Sequence, residues 1–239
     1  MPHSIDGEER AGEGLAVVSV GTSCQTPRQL ALYGAAREDV TFVKNIYDWI
    51  AAPPDVAADW LDADLEGFDL DDLEVRRNHA WLKPRKLYAW HWFGKTQPIG
   101  PKKLNIPLTI EREKAKFAHQ TAIFRELDPA RTLFITANTQ NNLEGDVYSP
   151  PEFHRIPFNA PDIDRLNASL DAFYGAPCRM LTITYAERCD AALRERARSS
   201  DLVAVLPRDP SEWEGDDAGW SGAIDRALAP MRDGLRAAA

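Results

Sequence analysis

The stretch LAVVSVGTSCQTPRQL, residues 15–30, decides the fold. Leu15–Val20 is a short apolar run, β-branched at Val17, Val18 and Val20 and closed by Gly21. A run this brief and this apolar predicts a strand covered on both faces, as in a parallel sheet. A helix is expected over Pro27–Ala36, with Leu30, Leu32 and Tyr33 available for burial. Proline lacks the N–H that a helix interior needs and belongs in the first turn, so the cap lies no earlier than Cys24. Thr26 as N-cap with Pro27 first in the helix is the tidiest register. Between strand and helix lies Gly21-Thr22-Ser23-Cys24-Gln25-Thr26, beyond the carboxyl end of a strand, where open α/β sheets bind ligands.

The same grammar recurs along the chain. Strands are expected at Arg85–Trp92, Thr132–Thr136, Arg179–Tyr185 and Leu202–Leu206. Helices are expected at Asp55–Leu65, Leu108–Leu127, Asp162–Tyr174, Glu187–Ser199 and Ala218–Arg236. Short apolar strands alternating with helices predict an α/β fold: a single domain over residues 14–239, with a mostly parallel sheet between helices in a Rossmann-like three-layer arrangement. Residues 1–13 read as a disordered tail. An irregular basic insertion is expected around 76–107, where Pro84, Pro98, Pro101 and Pro107 interrupt any period.

The 239 residues carry a formal charge of −9 and are 44% hydrophobic, enough for a sizeable core. That charge argues against a protein that coats nucleic acid, and no apolar run is long enough to span a membrane. The average hides an asymmetry. Residues 48–74 hold ten Asp and Glu and no Lys or Arg, whereas residues 76–118 hold eleven Lys and Arg against Glu111 and Glu113. Two readings compete: solvated surfaces that neutralise each other, or a basic cleft for an anionic ligand. Trp81, Tyr88, Trp90, Trp92 and Phe93 lie among the cations, where rings can stack on a ligand or simply pack.

The turn after the first strand is too poor in glycine to cradle a phosphate or a dinucleotide. It offers instead a thiol at a helix N-terminus, whose positive end lowers a cysteine pKa and whose N–H groups can hold an oxyanion. Cys24 is thus the candidate nucleophile, with Gly21, Ser23 and Gln25 shaping the oxyanion turn; the alternative is a cysteine that merely packs. A thiol nucleophile needs a base, and His91 stands near the end of an expected strand. Asn138, or alternatively Asp48, would hold the imidazole. Lys86, Trp90, Trp92 and Lys95 are the candidate substrate contacts. Cys178 and Cys189 read as structural thiols. An odd, sparse cysteine set predicts no disulfide scaffold and a cytoplasmic location.

Val18-Ser19-Val20-Gly21-Thr22-Ser23-Cys24, followed by Gln29-Leu30, resembles the opening motif of a bacterial family of unknown function held to be papain-like cysteine peptidases. Tyr47-Asp48-Trp49-Ile50 is similar to that family's aromatic-Asp-Trp segment, His91 between aromatics to its later histidine, and Trp213–Asp217 with Trp220 to its C-terminal stretch. The resemblance implies a Cys24–His91 pair. It does not carry papain's fold with it, because the alternation here predicts a parallel sheet.

Other chemistries fit less well. Strand–Gly21-Thr22-Ser23 also looks like the first block of flat-sheet serine esterases, but Thr22 stands where Asp is expected and no histidine follows His154. No metal-ligand spacing occurs, so neither a metal nor a cofactor is expected. The sequence therefore predicts a cysteine-dependent hydrolase or acyl transferase. The competing reading is a non-catalytic binder of an anionic carbohydrate or nucleotide-sugar. The expected partner is a small-molecule, glycan or peptide substrate, anionic where it meets the basic block; neither nucleic acid nor membrane is expected, and oligomeric state is not readable.

Overall fold

Leu15–Ser19 forms the first strand, β1, and its alternating side chains feed two cores. Ala16 and Val18 join one cluster, Leu15 and Val17 the other. This period-two division is why an almost continuously apolar run is needed: neither face of the strand meets water. The computed structural model describes residues 14–48, 50–76, 79–89, 92–93, 106–141, 157–209 and 214–238. The tail expected at 1–13, together with Trp90, His91, Lys95 and Trp213, lies outside the described residues.

Chain order runs β1, α1 (Gln25–Ala35), β2 (Val40–Phe42), α2 (Pro54–Asp62), β3 (Leu73–Arg76), β4 (His79–Leu82), β5 (Leu87–Ala89) and α3 (Ile106–Arg125). It continues with β6 (Thr132–Ala137), α4 (Ala160–Tyr174), β7 (Arg179–Tyr185), α5 (Ala191–Arg196), β8 (Val203–Leu206) and α6 (Asp217–Ala238). Five strands form a parallel sheet in the order β2-β1-β6-β7-β8. Leu30 and Tyr33 of α1 and Trp220, Ile224 and Leu228 of α6 pack on one face. Trp60, Phe117, Phe124, Leu166 and Leu193, from α2 to α5, pack on the other. The fold is the three-layer α/β arrangement that the alternation predicts. The chain turns one way from β1 to β2 and the other way from β2 to β6, so the strand order reverses at β1. A crevice at the carboxyl ends of β1 and β6 is the expected ligand position of such a sheet.

Three expectations are corrected. Helix α1 begins two residues early, with Cys24 as its N-cap and Pro27 third in the helix. The early start is tolerated because the first donors find partners: the Gln25 N–H donates to Gln140 Oε1 (3.1 Å) and the Thr26 N–H to the Ser23 carbonyl (3.3 Å). The helix expected at Glu187–Ser199 is split, because Arg188 turns inward within a 3₁₀ turn and Asp190 then caps α5 by accepting from the Leu193 N–H (2.8 Å). The third concerns the basic insertion. Its described part is a small antiparallel sheet, β3-β4-β5, joined to the segment before α2 through mutual Ala51–Tyr88 backbone bonds. The strand expected at Arg85–Trp92 is reduced to Leu87–Ala89, since Lys83–Lys86 form the turn of a hairpin.

The acidic and basic stretches meet here. Arg76 pairs with Glu74 and Arg85 with Glu66; Lys114 pairs with Asp69 (2.6 Å) and Arg125 of α3 with Asp64 (2.8 Å). For these cations the neutralising reading holds.

Candidate functional site

The site is assembled from the segments that follow β1, β2 and β6. After β1 the chain turns sharply at Gly21, whose φ of +89° suits glycine, and Ser19 Oγ donates to the Gly21 carbonyl (3.3 Å). Ser23 and Cys24 then enter α1, both buried. After β2, Asn45 ties its loop to β1 by donating from Nδ2 to the Ser19 carbonyl (3.1 Å). Asn45 also shapes the turn that delivers Asp48: the Asn45 N–H donates to Asp48 Oδ2 (3.2 Å) and the Asp48 N–H to the Asn45 carbonyl (3.1 Å). Asp48 is 2% exposed, and its Oδ1 has no hydrogen-bond partner among the described residues.

Of the two groups proposed to complete a Cys–His arrangement, Asp48 is the one whose charge is felt at Cys24. Asn138 is held by Arg188: its Nδ2 donates to the Arg188 carbonyl (3.0 Å), and its backbone carbonyl accepts from the Arg188 guanidinium (2.6 Å). Burial pushes the Asp48 carboxyl up to about 8, against the opposing pull of the Asn45 N–H and of Lys44 and Lys116. Burial likewise pushes the Cys24 thiol up to about 12, reinforced by the Asp48 charge and only partly offset by Cys24's own backbone N–H. The lowered thiol expected from the helix end is therefore reversed, since desolvation outweighs a partial charge at one helix terminus.

The segments beyond the carboxyl ends of β1 and β6 are tied together. Thr22 and Thr136 share a hydroxyl bond (3.1 Å), and Thr139 donates to Gln25 Oε1. With its N–H on Gln140 and its Oε1 on Thr139, Gln25 is a strut between the two segments, and its backbone N–H is not an open oxyanion donor. The Ser23 hydroxyl, by contrast, is buried without a partner among the described residues, as is that of Thr26.

The aromatic contacts are also revised. Trp92 is 3% exposed, packs against Phe68 and Phe117, and donates from Nε1 to the Asp48 carbonyl (3.4 Å). Its buried ring offers no open face for a sugar or base. Trp81, Tyr88 and Phe93 are buried too. Lys86 is exposed on the β4–β5 turn. Trp90, Lys95 and His91 fall outside the described residues.

Four residues of this region escaped the sequence reading: Asn45, Lys116, Gln140 and Arg188. Only Asn45, three residues before Asp48 in a turn-forming spacing, left a local signal. The others reach the site from distant segments. Cys24, Cys178 and Cys189 are free thiols. Among the described residues no cluster could hold a metal ion, and no helix is long and apolar enough to cross a membrane. Comparison of the chain with protein-family models, with curated proteins and with solved structures returns no match.

Proposed function

We propose that the chain is a cysteine-dependent hydrolase or acyl transferase of the papain-like kind, with Cys24 as nucleophile. One observation carries the reading: a thiol beyond the carboxyl end of β1, where the strand order reverses, caps α1 and feels the charge of Asp48, a buried carboxyl with an oxygen unpartnered among the described residues. Perturbed ionisable groups gathered at such a crevice are a signature of working sites.

The raised thiol dictates the form of the mechanism. Cys24 rests as a neutral S–H, so attack on an acyl carbon requires a base to take that proton in the same step, the role assigned to His91. His91 then gives the proton to the leaving group as the carbon–leaving-group bond breaks, producing a thioester on Cys24. Water, or an acceptor nucleophile, loses a proton to His91 and attacks the thioester, and the proton returns to sulfur. The Ser23 hydroxyl is the donor at the turn suited to the oxyanion. Asp48 is a positioning residue. Free thiols fit work in a reducing, cytoplasmic setting.

The test is a panel of ester, thioester and peptide substrates presented to the wild type, Cys24→Ala and His91→Ala. Turnover should fall by at least about a hundredfold in both variants. Full activity in folded Cys24→Ala, or no turnover of any substrate by the wild type, overturns the proposal.

A further inference from the structure

Arg188 lies far from Cys24 in the chain, yet a short series of hydrogen bonds leads from one to the other. Arg188 is 5% exposed, and its guanidinium sits against the loop that follows β6. Nη1 donates to the backbone carbonyls of Asn138 (2.6 Å) and Gln140 (3.0 Å), and Nη2 donates to Asn141 Oδ1 (2.8 Å). The Asn138 side chain returns a bond to the Arg188 carbonyl (3.0 Å), so the two segments hold each other.

The loop held in this way grips α1. Thr139 Oγ1 donates to Gln25 Oε1, and Gln140 Oε1 accepts from the Gln25 N–H (3.1 Å). Gln25 directly follows Cys24, the cap residue of α1. Its backbone and its side chain are thus both fixed by residues inside the span 138–141 that Arg188 binds.

The residue type has a physical reason. Burying a guanidinium is costly unless its donors are occupied. Here its planar fork reaches acceptors on residues 138, 140 and 141 at once, and bonds from a charged donor are stronger than neutral ones. A loop beyond the end of a strand has no ladder of its own, so bonds of this kind decide where it rests.

We infer that Arg188 is a positioning residue for Cys24: it fixes the loop after β6, and through Thr139 and Gln140 it sets where the first turn of α1 places the thiol. The inference rests on the reading of Cys24 as nucleophile, for a misplacement of about 1 Å at a reacting group can lower a rate about a hundredfold. Because Arg188 acts through Gln25, its loss should fall on kcat and leave KM in place.

Peptide-resolved labelling of the native protein with iodoacetamide reads the placement of the thiol without any substrate. Cys178 precedes β7, at the opposite end of the sheet, and is the internal reference. In Arg188→Met the labelling rate of Cys24 relative to Cys178 should rise about tenfold or more, as the turn around a buried thiol opens. Arg188→Lys keeps a cationic donor and should recover part of the difference. Gln140→Leu removes the acceptor of the Gln25 N–H and leaves Arg188 in place; it should raise the ratio too, and it decides the matter if Arg188→Met does not fold. On any substrate of the wild type, kcat should fall about tenfold or more in Arg188→Met while KM stays within about twofold. An unchanged ratio in the folded variants, equal acceleration at both cysteines, no recovery in Arg188→Lys, or a loss confined to KM overturns the inference. Absence of turnover by the wild type overturns the proposed function alone, since the labelling ratio still reads whether Arg188 places the thiol.

Discussion

A single buried carboxyl shows how far residue identity and residue behaviour can diverge. Asp48 is legible in the sequence as a candidate, but its charge state is not, because beyond the local Asn45 turn its surroundings come from Trp92 and α3, which are remote in the chain. The folded state raises its pKa to about 8, above the ordinary aspartate value of about 3.9 in the unfolded chain. Between those values the unfolded chain gives up the proton and the folded protein keeps it, so Asp48 makes stability fall as pH rises from about 4 to about 8. Asp48→Asn removes that loss. Its melting temperature should exceed the wild type's by more at pH 8 than at pH 5; an equal difference at both would show that Asp48 ionises normally. Cys24 obeys the same physics, for its position at a helix end was readable and its desolvation was not.

At the level of elements, β1, β6, β7 and β8 were readable because each is a buried apolar run bounded by turn residues. The antiparallel strands β3 and β4 were not, being four residues long and held by pairing with their neighbours, and β5 was read only as part of a longer strand. The start of α1 was misplaced for a similar reason: Gln140, far along the chain, supplies the acceptor for its first N–H. The loop before α6 also lies on α1. Gln29 Nε2 donates to Asp217 Oδ1 (2.8 Å) and to the Glu214 carbonyl. Between them Gly215 has a φ of +82°, and a Cβ there would come within 2.8 Å of Gln25 Nε2. The φ favours glycine, and a Cβ would also push the Gln25 amide aside. Gly215→Ala should cost about 1–3 kcal/mol in denaturant unfolding and displace the Gln25 strut. A loss below about 0.5 kcal/mol would mean that the loop does not hold α1 as described.

For the molecule as a whole, the charge of −9 and its uneven distribution were plain in the sequence, but composition could not choose between a cleft and a neutralised surface. Pairing decides it for part of the stretch. Asp64, Glu66, Asp69 and Glu74 from the acidic stretch hold Arg125, Arg85, Lys114 and Arg76. Exposed pairs of this kind contribute about 0–1 kcal/mol each, and added salt weakens them. Salt also relieves the self-repulsion of a chain at −9, which acts in the opposite direction. These terms are of similar size, so raising sodium chloride from about 0.05 M to about 0.5 M should change the unfolding free energy by less than about 2 kcal/mol. A loss of about 5 kcal/mol or more would mean that the charge pairing supports the fold, and that hydrophobic packing on the two faces of the sheet contributes less than its continuity suggests.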